Sequence, residues 1–100
     1  MKTELLLYVY YKVKEGKRDE FVRKIMEDGI DKASQLEAGN NFYEFSCPID
    51  DSSILLLIES WDDSDALALH SKTEHFKKLT EYKNEYVESA SVKKYNGSAL

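Results

Sequence analysis

Residues 55–79 read LLLIESWDDSDALALHSKTEHFKKL, and a change of hydrophobic period inside this stretch decides the fold. From Ile54 to Trp61 the chain is a strand with Leu55, Leu57, Glu59 and Trp61 on one face and Ile54, Leu56 and Ile58 on the other. Both faces are largely apolar. Asp62, Asp63 and Ser64 then offer side-chain oxygens as helix caps, and Asp65 puts a carboxylate at the positive end of the helix dipole. Ala66, Leu69 and His70 fall at i, i+3, i+4, which predicts a short helix with these residues inward. A second helix is expected from Ser71 or Thr73, with Ser71 and Glu74 at capping-box spacing and Phe76, Leu79 and Tyr82 or Lys83 on its inner side. Both histidines and the single tryptophan lie between positions 61 and 75, at a strand end and two helix ends. Ionisable and aromatic groups gathered at such ends are the usual make-up of a small-molecule site.

Working outward, Leu5 to Val13 is a second strand with two apolar faces: Leu5, Leu7, Val9, Tyr11, Val13 against Leu6, Tyr8, Tyr10. From Lys17, Phe21, Val22, Ile25, Met26, Ile30, Ala33 and Leu36 recur at helical spacing, with Gly29 inside predicting a kink. Glu37-Ala38-Gly39-Asn40 ends that helix, Gly39 serving as a left-handed cap. Asn41 to Cys47 is a short strand stopped by Pro48, and Tyr86 to Tyr95 is a weaker final one. The order β-α-β-β-α-α-β predicts an α+β, ferredoxin-like domain over 1–96, a four-stranded antiparallel sheet with helices on one face, followed by a tail over 97–100. The other face, carrying Leu6, Tyr8, Tyr10, Ile54, Leu56 and Ile58, is then bare. So large an apolar area predicts a homodimer whose two sheets close a shared α/β barrel.

Composition bounds the function. A 100-residue chain gains little from a private core, so burial against a partner is a natural supplement. The net charge of −5, with basic residues scattered among acidic ones, disfavours nucleic acid, and the strand aromatics have no basic interleaving for RNA stacking. No run reaches the ~20 apolar residues that span a bilayer, and Leu5 to Tyr11 has neither the charged flank nor the cleavage site of a secretion signal. One cysteine, Cys47, fits a reducing compartment and reads as a buried inert thiol; a cytoplasmic location is expected. No metal is expected: His70 and His75 are five apart, not four, and no third ligand has a telling spacing.

Glu59-Ser60-Trp61-Asp62-Asp63, then Ala66 four residues before His70, then His75-Phe76, resembles the antibiotic biosynthesis monooxygenase domain family. Glu37-Ala38-Gly39 stands where that family has Glu-Pro-Gly, and Tyr43 holds the following aromatic place. The resemblance implies a dimeric barrel with a pocket between each sheet and its helices, lined here by Trp61, Val9, Leu57, Phe76, Leu79 and Tyr43. It implies oxygenation of a quinol or another electron-rich aromatic without cofactor. A second branch isomerises a phosphorylated signal compound, and Ala68 to Phe76 is similar to its A-x-x-H-K-T-T-x-H-aromatic run. A haem-degrading branch is disfavoured by Thr80 and Val9 at its ligand and polar positions. A dimeric ligand-binding or stress protein without turnover is the non-enzymatic alternative.

His70 is the candidate base, since imidazole titrates near ~6.5 and is easily tuned across neutral pH. His75 is a candidate donor to a substrate oxygen, and Glu59 a candidate orienting group or second base. Each has a plain structural alternative: His70 a satisfied core histidine, His75 an exposed helix start, Trp61 core, and Glu59 half of an ion pair with a helix Lys or Arg.

Overall fold

The computed structural model describes residues 3–98. Four strands, β1 (Thr3–Val13), β2 (Asn40–Ser46), β3 (Ile54–Trp61) and β4 (Val87–Ser98), form one sheet in the order β2-β3-β1-β4. Every neighbouring pair is antiparallel. Two crossovers each pass over one strand, from β1 to β2 and from β3 to β4, which is the ferredoxin-like arrangement. The first carries α1 (Arg18–Glu27) and α2 (Ile30–Gln35); the second carries α3 (Ser64–His70) and α4 (Glu74–Tyr86).

The pleat decides which residues meet the helices. Leu7, Val9, Tyr11 and Val13 of β1 and Leu55, Leu57, Glu59 and Trp61 of β3 are buried under them, with Phe21 and Ile25 of α1, Ile30 of α2 and Leu79 and Tyr86 of α4 above. Burying each such large apolar side chain contributes roughly 1.5–3 kcal/mol. The alternate residues Leu6, Tyr8, Tyr10, Ile54, Leu56 and Ile58 are half-buried on the uncovered face, beside the half-exposed Val92 and Tyr95.

Several local expectations are corrected. The long helix is two helices: Gly29 adopts φ 64°, in the left-handed region, and restarts the chain as α2. That rotation turns Leu36 outward, 87% exposed, and brings Ser34 inside; Met26, before the break, is 43% exposed on the outer side of α1. Leu69 likewise points to solvent while Ala66 and His70, one turn apart, point inward. Of the two expected starts of α4, Thr73 is the cap and Ser71 is not: Thr73 is extended, and its Oγ1 accepts from the Phe76 amide at 3.2 Å. Cys47 is exposed, because it follows the last residue of the edge strand β2, beyond the helix layer. The final strand runs through Gly97 to Ser98, paired with Glu4 and Thr3; Ala99 and Leu100 lie outside the described residues.

Candidate active site

Three turns of chain converge beneath the helix layer. The first is the α3 N-terminus, where the Asp63 carboxylate accepts from the Ala66 amide at 2.9 Å and sets the phase of the helix. Ala66 and His70 therefore face inward. The second is the α2–β2 turn. Gly39, at φ 82°, presses so close to α3 that a Cβ there would lie 2.6 Å from Ala66 Cβ, and its carbonyl accepts from the Asp62 amide at 2.8 Å. This approach delivers Glu37 to the end of α3. The third is the α3–α4 junction, where Thr73 Oγ1 donates to the His70 carbonyl at 2.8 Å while capping α4. It brings His75, in the first turn of α4, to the same side as His70.

The result is one carboxylate oxygen shared by two imidazoles. Glu37 Oε2 lies 2.5 Å from His70 Nδ1 and 2.8 Å from His75 Nε2. His70 is 3% exposed, Glu37 14% and His75 18%, so the unit runs from the interior to the surface. An ionised carboxylate only accepts, so both facing nitrogens carry hydrogen. That fixes neutral His70 as the Nδ1–H tautomer and leaves its Nε2 as the free base. Aromatic rings box it in: Trp61 with centroids 4.6 Å apart, Phe76 edge-on at 5.2 Å and Tyr43 at 5.6 Å.

Glu59 does not touch the histidines through a hydrogen bond; its Oε1 accepts from Trp61 Nε1 at 2.7 Å. Burial pushes its carboxyl above the ordinary range, opposed by the Trp61 hydrogen bond and by the charges of His70 and Lys83. Lys83 is held below its usual value by burial, partly offset by Glu59, and lies over the rings of Tyr11 at 5.7 Å and Phe76 at 5.8 Å. Desolvation raises the Tyr43 phenol, reinforced by the Glu59 charge and opposed by the Ser34 hydroxyl.

The structure thus brings His70, His75, Trp61, Glu59, Tyr43 and Phe76 together. Val9, Leu57 and Leu79 pack beside them in the same core cluster. Solvent reaches the group from the His75 side, along a groove lined by Asp28, Ile30, Glu74, His75 and Lys78. Sequence reasoning missed Glu37, which it treated as a helix end; the helix cation that acts on Glu59, of the kind expected, is Lys83 of α4. The available signal for Glu37 was its place two residues before the left-handed Gly39, in the segment matching Glu-Pro-Gly. The spacing rule used against a metal reads single helices only, whereas here His70 and His75 sit on two helices and a third ligand-type residue, Glu37, lies 33 residues before His70.

Comparison with known proteins agrees with this fold. YcnE of Bacillus subtilis, named as a candidate monooxygenase, is 31% identical over 72 residues, 72% of this chain and 74% of its own. The crystal structure of PA3566 from Pseudomonas aeruginosa superimposes with a TM-score of 0.87 at 25% identity, covering 99% of this chain and 98% of that one. A candidate antibiotic biosynthesis monooxygenase from Nitrosomonas europaea gives a TM-score of 0.81 at 21% identity over 97% and 90% of the two chains, which speaks to the fold alone. Residues 5–82 match the antibiotic biosynthesis monooxygenase family, and the chain belongs to it.

Proposed function

We propose that the chain is a cofactor-independent monooxygenase of a quinol or other electron-rich phenol, working as a homodimer through its uncovered sheet face. The observation that carries this is the Glu37 carboxylate shared between His70 and His75. It holds His70 in the tautomer whose Nε2 can take a phenolic proton, and it stabilises the imidazolium that forms. The resulting phenolate passes one electron to dioxygen, the radical pair combines at a ring carbon, and loss of water leaves a quinone. One oxygen atom enters the product and the other leaves as water. Trp61 and Phe76 supply flat apolar walls that exclude water from the anion. Because His70 is buried, substrate entry requires the half-buried Phe76 to swing aside. A relative named for monooxygenation favours this chemistry over isomerisation, which the same proton-transfer groups would also serve.

The test is oxygen uptake with a panel of hydroquinones and hydroxylated polycyclic aromatics. Uptake with quinone formation is expected, reduced ~10²–10⁴-fold in His70→Ala and less in Glu37→Gln, which keeps an acceptor but loses the charge. His70 is a packed residue, so the variants are compared at matched folded fraction. No uptake across the panel, or full activity in His70→Ala, refutes the assignment.

A further inference from the structure

We propose that Glu37, His70 and His75 form a binding site for a divalent transition-metal ion of the zinc type, one per chain, and that metal and substrate proton compete for it. The argument rests on the geometry of the triad and not on the oxygenation reading. Glu37 Oε2, His70 Nδ1 and His75 Nε2 all lie within 4.8 Å of one another, one ligand atom from each of three residues on separate turns. Two imidazole nitrogens and one carboxylate oxygen are a donor set suited to zinc and its neighbours, with a remaining position for water.

Distances decide whether an ion fits. Tetrahedral bonds of ~2.0–2.2 Å place adjacent ligand atoms about 3.3–3.6 Å apart. Glu37 Oε2 stands 2.5 and 2.8 Å from the two nitrogens and must withdraw by roughly 0.5–1 Å, while the nitrogens, within 4.8 Å of each other, must close to the same spacing. Glu37 lies in the turn after α2, 14% exposed, and its side chain can yield more readily than the packed ring of His70. The groove leading to His75 carries Asp28 and Glu74 against one Lys78, which suits an approaching cation, although Asp28 already accepts from the Tyr82 hydroxyl and Glu74 from Lys77. The Glu59 carboxylate acts on His70 electrostatically, while its own hydrogen bond goes to Trp61 Nε1.

Coordination through His70 Nδ1 moves the ring hydrogen to Nε2, the nitrogen the oxygenation reading needs free. A metal-loaded chain is therefore one in which His70 cannot act as the base. Binding must also weaken on acidification, because protons and metal claim the same nitrogens.

The experiment is titration of the purified protein, without substrate, with Co²⁺ followed by visible d–d absorption and then displaced by Zn²⁺. Expected are bands saturating at one Co²⁺ per chain, bleached by Zn²⁺, fading on acidification, and weakened ~10-fold or more in both Glu37→Gln and His75→Ala. His75 is the partly exposed ligand, so its loss leaves the core packing in place; a circular dichroism spectrum confirms that each variant is folded. Absence of bands at millimolar Co²⁺, or bands unchanged in the two folded variants, overturns the site. Since no turnover is measured, either outcome leaves the oxygenation reading to its own test.

Discussion

Gly39→Ala is the substitution through which the fold and the site can be probed together. The residue sits at φ 82°, where an alanine costs about 1–2 kcal/mol in backbone conformation alone. Its new Cβ would meet Ala66 Cβ at 2.6 Å, with Asp62 Oδ2 at 3.7 Å, and this pushes β2 and α3 apart. Overpacking of that kind costs about 1–3 kcal/mol, so the sum is roughly 2–5 kcal/mol, a large share of a small domain's stability. For a domain of this length that corresponds to a fall of roughly 8–40 °C in Tm. Gly29→Ala is the internal control: φ is 64°, but nothing lies within 4 Å of the added methyl, so only the conformational part, about 1–2 kcal/mol, applies. Urea unfolding followed by Trp61 fluorescence measures both. If Gly39→Ala costs no more than Gly29→Ala, the close approach that delivers Glu37 to His70 is not what holds this corner, and the account of the site's assembly fails.

Two further outcomes are expected. Burial raises the Glu59 carboxyl above its ordinary 4.5, so its contribution to stability is fully present below that pH and is lost as pH rises through the folded value. Glu59→Gln, which keeps an acceptor for Trp61, should therefore be neutral near pH 4 and stabilising above neutrality; a denaturation midpoint difference that does not change with pH contradicts this. Leu56→Asp places a charge in the middle of the uncovered apolar face and should yield a monomer or an unfolded chain by light scattering, whereas an unchanged, well-folded dimer would rule out that face as the interface.

Much of the architecture was legible because it depends on period. The alternation in Leu5–Val13 and Ile54–Trp61, with both faces apolar, was enough to predict a sheet covered on one side and seeking cover on the other. The paired Glu59 and Trp61 on one strand face were readable for the same reason. The helix break at Gly29 was visible only as a kink, since one residue in the left-handed region re-phases everything after it and turned Leu36 outward. The site was half legible. His70 and His75 stood out by type, but their meeting depends on Thr73 joining two helices, which no periodicity rule contains. Glu37 was marked only by its place in the Glu-Pro-Gly-like turn, because its role arises from a tertiary approach, Gly39 against Ala66, between segments far apart in sequence.

The central claim is that Glu37 Oε2 is shared by His70 Nδ1 and His75 Nε2 and so fixes both tautomers. Long-range ¹H–¹⁵N correlation spectra of the imidazoles at neutral pH test it most directly. The account predicts hydrogen on Nδ1 of His70 and on Nε2 of His75, slow exchange of both protons, a strong downfield shift at the shorter bond, and loss of that shift in Glu37→Gln. A His70 protonated on Nε2, or two freely averaging histidines unaffected by Glu37→Gln, would contradict it.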